Sequence, residues 1–234
     1  MATQITKKPF EDLIEEFSSS LDQNIIIAQE CKQHLLLSSS WIELGLLDTS
    51  PQSPVEILRG ANAAAIEAIS FIALGLLRPA VLSLRSHFEL SLMYTFYCTH
   101  PIEWNSAKNY QTEHKLPKAI KTYLANHYSS YTKRWNELEK RKDGEFDDCY
   151  KILSSVAHGS ALNSISTAIN PVELIENQET LNQAPKIFYA TAEMISDIYV
   201  SHSISNWISL PSIVRTNVSG RFGTQDPKKI LMFE

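Results

Sequence analysis

The chain has 234 residues, 44% apolar and 20% charged, with a formal net charge of −5. That length buries a sizeable core without disulfides or metals, and the apolar share excludes disorder over the whole chain. The acidic total argues against a general nucleic-acid binder, and three cysteines at no ligand spacing argue against a disulfide framework or zinc finger.

A first helix is predicted from Pro9 to about Ser39. Pro9 suits the N1 position, and Glu11, Asp12, Glu15 and Glu16 sit at the positive end of the dipole. Phe10, Leu13, Ile14, Phe17, Leu21 and Ile25 recur at helical spacing. No uninterrupted apolar stretch occupies this start, so a secretory leader is not expected. The expected location is the cytoplasm, where Cys31, Cys98 and Cys149 would be small buried residues.

Leu47 to Pro54 reads as a loop. Ser53-Pro54-Val55-Glu56 has the form of a capping box with proline at N1, opening a second helix that runs to about Leu77. Pro79 opens a third, ending near Thr99. Ala61 to Cys98 is the most apolar region, but Glu67, Arg78, Arg85, His87 and Glu89 interrupt it, so a membrane hairpin is not expected. Gly75 is the one glycine between Ala61 and Asp143, which favours long helices over a many-stranded sheet.

A fourth helix is predicted from Pro101 to about Lys115 and a fifth from Pro117 to Arg141. Lys142-Asp143-Gly144-Glu145 is a turn, and a sixth helix begins near Phe146 and passes through His158. Gly159 kinks or ends it, and Ser160 to Ile169 could add another turn or two. Asn170 to Gln183 reads as loop, with a short helix available at Pro171 to Leu174. The last long helix spans Ala184 to Leu210. Beyond Pro211 no helical period is read, and Ile230-Leu231-Met232-Phe233 forms an apolar patch that docks on the body or on a partner protein. The expectation is one all-α bundle domain of six to seven helices over residues 1–210, with a short irregular tail over 211–234.

Charge is uneven along this plan. From Lys108 to Lys142 there are nine basic and three acidic residues, a net +6, which leaves −11 for the remainder. Such a stretch is either a solvated helix face or a surface for an anionic partner.

Two segments could carry chemistry. In Leu84-Arg85-Ser86-His87-Phe88-Glu89-Leu90, the residues Leu84, Phe88 and Leu92 should face the core, with Arg85 and Glu89 four apart on an adjacent stripe. The pair either orients the helix against its neighbours or offers Arg85 to an anion. In the sixth helix, Asp147, Lys151, Ser154 and His158 fall on one polar stripe, opposite Cys149, Leu153 and Val156 or Ala157. Histidine, lysine and hydroxyl on one face suit phosphodiester chemistry, because imidazole moves protons near neutral pH and ammonium neutralises a developing phosphorane. A histidine before glycine can equally cap its helix.

The string YKILSSVAHGS, Tyr150 to Ser160, resembles the signature of a bacterial HEPN-like family, roughly Y-R-x-L-S-x-x-x-H-[GP]-S. The segment LRSHFELSLMYTF, with Arg85 and Glu89, is similar to the upstream R-x-x-x-E helix of that family. The resemblance spans about residues 55–210 and implies a small helical bundle. Active members carry R-x(4–6)-H and are typically metal-independent ribonucleases working as dimers, while several HEPN-like families imply nucleic-acid or nucleotide binding without established cleavage, often in phage defence or toxin–antitoxin systems. His158 falls on the family's histidine and Lys151 on its arginine; Tyr150, Leu153, Ser154, Gly159 and Ser160 match as they stand. Lysine keeps the charge and loses the planar fork that grips two phosphate oxygens.

The resemblance therefore implies an RNA- or nucleotide-directed protein, possible as an endoribonuclease, with no cofactor or metal. His158, Lys151, Ser154, Arg85 and Glu89 are its candidate site residues. The competing expectation is a non-catalytic helical module for partner binding or dimerisation.

Overall fold

The computed structural model describes residues 7–110, 117–128, 130–142, 149–159, 166–204 and 206–233. Among the described residues it holds eleven α-helices, two 3-10 turns and no strand. The all-α expectation holds, while the count of six to seven does not.

Helix α1, Lys8–Leu46, outruns its predicted end because no breaker stands before Gly45. Its last turns are held by the body: Trp41 donates its indole N–H to Ser196 Oγ at 3.1 Å and stacks on Tyr199. Its first turns are not. No residue from Lys8 to Gln23 is buried, and Phe10 and Ile14 are 52% and 63% exposed.

Helices α2 (Val55–Ala73) and α3 (Leu77–Tyr97) form a hairpin closed at Gly75. Its φ of +73° takes the left-handed conformation that L side chains rarely adopt, and a Cβ there would meet Ile175 at 2.9 Å. The expected capping box is not formed. Pro54 occupies the N-cap with no side-chain cap bond, which puts Ser53 one residue too early. Helix α3 starts two residues before Pro79, because a proline in the first turn removes an N–H that has no helical partner anyway.

Helix α4 is Pro101–Tyr110. The expected fifth helix is two, α5 (Pro117–His127) and α6 (Tyr131–Glu139). The break beside Ser130 lets Tyr131 bury and Tyr128 pack edge-on against His202, 4.6 Å between centroids. Helix α7 is Cys149–His158; the expected start at Phe146 and the segment 160–165 lie outside the described residues. Pro171–Leu174 forms a 3-10 turn and Gln178–Leu181 the short α8. Helix α9, Ala184–Ser203, ends before the predicted Leu210, where Ile204 turns extended and Trp207–Ser209 makes a 3-10 turn.

The tail is not irregular. Helix α10 (Ser212–Phe222) buries Val214, Val218 and Phe222, spaced four apart, and α11 (Pro227–Met232) is capped by the Asp226 carboxylate. Leu231 is fully buried in the same chain. Arg134 of α6 holds α11 down by donating to the carbonyls of Leu231, at 2.9 Å, and Ser201, at 3.4 Å. Both carbonyls lie at helix C-termini, where a cation is favoured.

The core runs along α3. Leu84, Phe88, Leu92 and Phe96 pack with α2, α9 and α7, and α1 lies across α2 and α9. Cys31 and Cys149 are buried as expected, but Cys98 is exposed. No helix is long and apolar enough to cross a membrane among the described residues.

One histidine sits wholly inside this core. His87 donates from Nδ1 to the Ala61 carbonyl and accepts at Nε2 from Ser38 Oγ, both at 2.9 Å. A carbonyl can only accept, which fixes that tautomer. Burial pulls the ring down to about 4, against the Ala61 bond that pulls it up. The unfolded chain therefore takes a proton first. Stability from His87 is complete above about pH 6.5 and is lost as pH falls towards 4, a decline of about 3 kcal/mol. Urea unfolding at pH 7 and pH 4.5 checks this: His87→Gln should be less stable than wild type at pH 7 yet lose less on acidification.

Candidate functional site

The site grows from the edge of the core helix. Leu84, Phe88 and Leu92 are buried as predicted, which fixes the rotation of α3. Arg85 and Glu89 then emerge at the rim, their side chains 19% and 28% exposed, and Arg85 Nε donates to Glu89 Oε1 at 2.8 Å. Helix α7 is seated by Cys149 and Leu153 on its predicted apolar side, with Cys149 Sγ 3.1 Å from Thr191 Oγ1 on α9.

That seating brings the other edge of α7 to the rim of α3. Tyr150 donates its hydroxyl to Glu89 Oε1 at 3.2 Å, and Arg85 Nη1 lies 3.3 Å from His158 Nε2. The Arg85 guanidinium carbon is 5.9 Å from the centre of the Tyr150 ring. Arg85, Glu89 and His158 thus meet across 73 residues of sequence, joined by Tyr150. Ser154, partly buried, and Lys151, exposed, flank this bonded group on the stripe that ends at His158. Asp147 and Ser160 lie outside the described residues.

The bonds define protonation. Guanidinium has only donors, so His158 Nε2 must accept with its lone pair, and the proton sits on Nδ1. Burial would lower Arg85, but the Glu89 bond and charge outweigh it and raise the group above its ordinary value. Burial first, and the Glu89 charge second, push Tyr150 up, so the phenol keeps its proton and donates to Glu89.

Two members were not singled out from sequence. Tyr150 belonged to the motif string, yet its contact with Glu89 depends on how α7 meets α3. Lys121 of α5 places Nζ 5.9 Å from the Tyr150 ring centre, 5.5 Å from Phe88 and 5.8 Å from Trp135. Its sole sequence signal was membership of the basic stretch.

Much of that stretch is engaged within the fold. Lys108 pairs with Glu56, Lys140 and Arg141 with Glu137, and Lys142 with Asp197. What reaches the site is local: among the described residues, the Arg85 guanidinium is held by Glu89 and Lys121 lies over the Tyr150 ring, beside an exposed His158. Such a group attracts an anion and offers it a proton acceptor. Among the described residues no three His, Cys, Asp or Glu side chains cluster closely enough to hold a metal ion. No family model, curated protein or solved structure matches this chain.

Proposed function

We propose that the Arg85–His158 pair receives a phosphodiester of RNA or of a nucleotide, and that His158 drives its cleavage without a metal, in the manner of HEPN-like ribonucleases. One observation supports this above all: a guanidinium donating at 3.3 Å to the lone pair of an exposed imidazole. A phosphate oxygen is a stronger acceptor than that nitrogen and takes over Arg85 Nη1. Nε2 of His158 is then released to remove the proton of a ribose 2′-hydroxyl. The alkoxide attacks the neighbouring phosphorus, the bond to the 5′-oxygen breaks, and that oxygen leaves with a proton from a second acid. Glu89 holds the guanidinium in place, and Arg85 with Lys121 offsets the charge that develops on phosphorus. Lys151, standing where the family motif has arginine, contacts the strand on its approach. One such motif per chain fits a homodimer, in which the second protomer's His158, in its protonated form, supplies the acid.

The test is incubation of purified protein with labelled total RNA and tRNA in EDTA. Cleavage should persist in wild type and fall at least about 100-fold in His158→Ala, the scale of a lost general base. Lys151→Ala should lose less. Intact RNA with a folded wild type contradicts the reading.

That outcome would favour the helical partner-binding module, for which the unburied Phe10 and Ile14 of α1 speak. The tail contributes less to such a module, since Leu231 is buried and only Ile213 and Phe233 among its described large apolar residues are exposed.

A further inference from the structure

Beside the phosphate site lies a cavity of about 330 Å³ of whose lining the chemistry above uses only Lys121. Lys121, Tyr131, Thr132, Trp135, Glu139 and Met194 line it. The half-buried Trp135 ring stacks against buried Tyr131, planes 11° apart and centroids 6.4 Å apart, which fixes how Trp135 faces the cavity. Met194 adds a polarisable contact.

Among the described residues, Lys121 reaches from the cavity lining to the phosphate site. Lys121 Nζ is 5.8 Å from the centre of Trp135 and 5.9 Å from that of Tyr150, the ring that Arg85 approaches from 5.9 Å. Lys142 Nζ, paired with buried Asp197, lies 4.9 Å from the Trp135 centre and steadies that ring. An aromatic face beside a lysine, leading away from an arginine, is how single strands are held without base pairing. The carboxylate of Glu139 settles which part of a nucleotide fits. It repels a phosphate, and it accepts hydrogen bonds from an exocyclic amino group.

Resting on the phosphate reading, we propose that this cavity is a nucleobase subsite. The base next to the reacting phosphate stacks on Trp135, and the subsite prefers amino-bearing bases to uracil.

The experiment uses uncleavable 2′-O-methyl hexamers of adenylate and of uridylate, with ribose 5-phosphate as a ligand lacking a base. Affinities are measured for wild type, Trp135→Leu, Trp135→Phe and Arg85→Lys, each checked for folding by circular dichroism and urea unfolding. Trp135→Leu should weaken the adenylate hexamer about tenfold and leave ribose 5-phosphate unchanged, as loss of one stacked base requires. Trp135→Phe keeps an aromatic face and should stay within about threefold of wild type. Wild type should favour adenylate over uridylate. If Trp135→Leu binds adenylate as wild type does while Arg85→Lys loses it, the subsite is overturned and the phosphate reading stands. If wild type binds neither hexamer nor ribose 5-phosphate, both fall.

Discussion

Asp197→Ala should lower the unfolding free energy by about 3–5 kcal/mol, the largest stability loss expected of any single polar substitution here. Asp197 is fully buried on α9. Both its oxygens are taken by Arg221 of α10, Oδ1 at 2.6 Å and Oδ2 at 3.0 Å, and Lys142 Nζ is 3.4 Å from Oδ2. Glu193 stands 3.6 Å from Arg221 Nε and accepts the Tyr189 hydroxyl at 2.9 Å. Removing Asp197 leaves the Arg221 side chain, 10% exposed, without its two-point partner in a poorly solvated place. Removing both partners should hurt less. Asp197→Ala/Arg221→Met should recover part of the loss, because the stranded charge is then gone. Urea unfolding of the two single variants and the double variant measures this, and a loss below about 1 kcal/mol for Asp197→Ala would contradict the assignment.

The second large effect is functional. Arg85→Lys should reduce RNA cleavage about 100-fold while changing stability by less than about 1 kcal/mol. The guanidinium reaches Glu89 through Nε and His158 through Nη1 at once, from one rigid plane. An ammonium can serve one of these partners well but cannot span both in that geometry. A charge is retained, so the Glu89 carboxylate keeps a counter-ion and the fold has little reason to loosen. Cleavage rates in EDTA alongside unfolding midpoints separate the two effects. Equal loss of both would mean that Arg85 is a packing residue.

The sequence made the core side of this site readable and left its polar side open. Leu84, Phe88 and Leu92 on α3, and Cys149 and Leu153 on α7, followed from helical spacing alone, and together they set which edges face outward. The Arg85–Glu89 pair followed from its spacing of four. The partnership of Arg85 with His158 lies on no helical period. It depends on how α7 packs against α3, as do the contacts of Tyr150 and Lys121. Helix α10 shows a different failure, since Val214, Val218 and Phe222 carry a period of four that Gly220 and Gly223 obscured. The first turns of α1 show the converse: a faithful helical stripe ending in no core, because nothing in the period says whether a neighbour covers it. The split of α5 from α6 at Ser130 came from tertiary burial of Tyr131, which outweighs a local pattern that runs on unbroken.

The functional reading turns on His158 Nε2 being an acceptor held by Arg85 and released by phosphate. Nitrogen-15 spectra of the His158 ring test this most directly, recorded during titration with the uncleavable adenylate hexamer at a pH where the ring is neutral. An unprotonated Nε2 in the free protein, shifting to saturation with RNA in wild type and unresponsive in Arg85→Lys, is the predicted result. A ring whose Nε2 carries the proton in the free protein, or whose signals stay unmoved at saturating RNA, would contradict it.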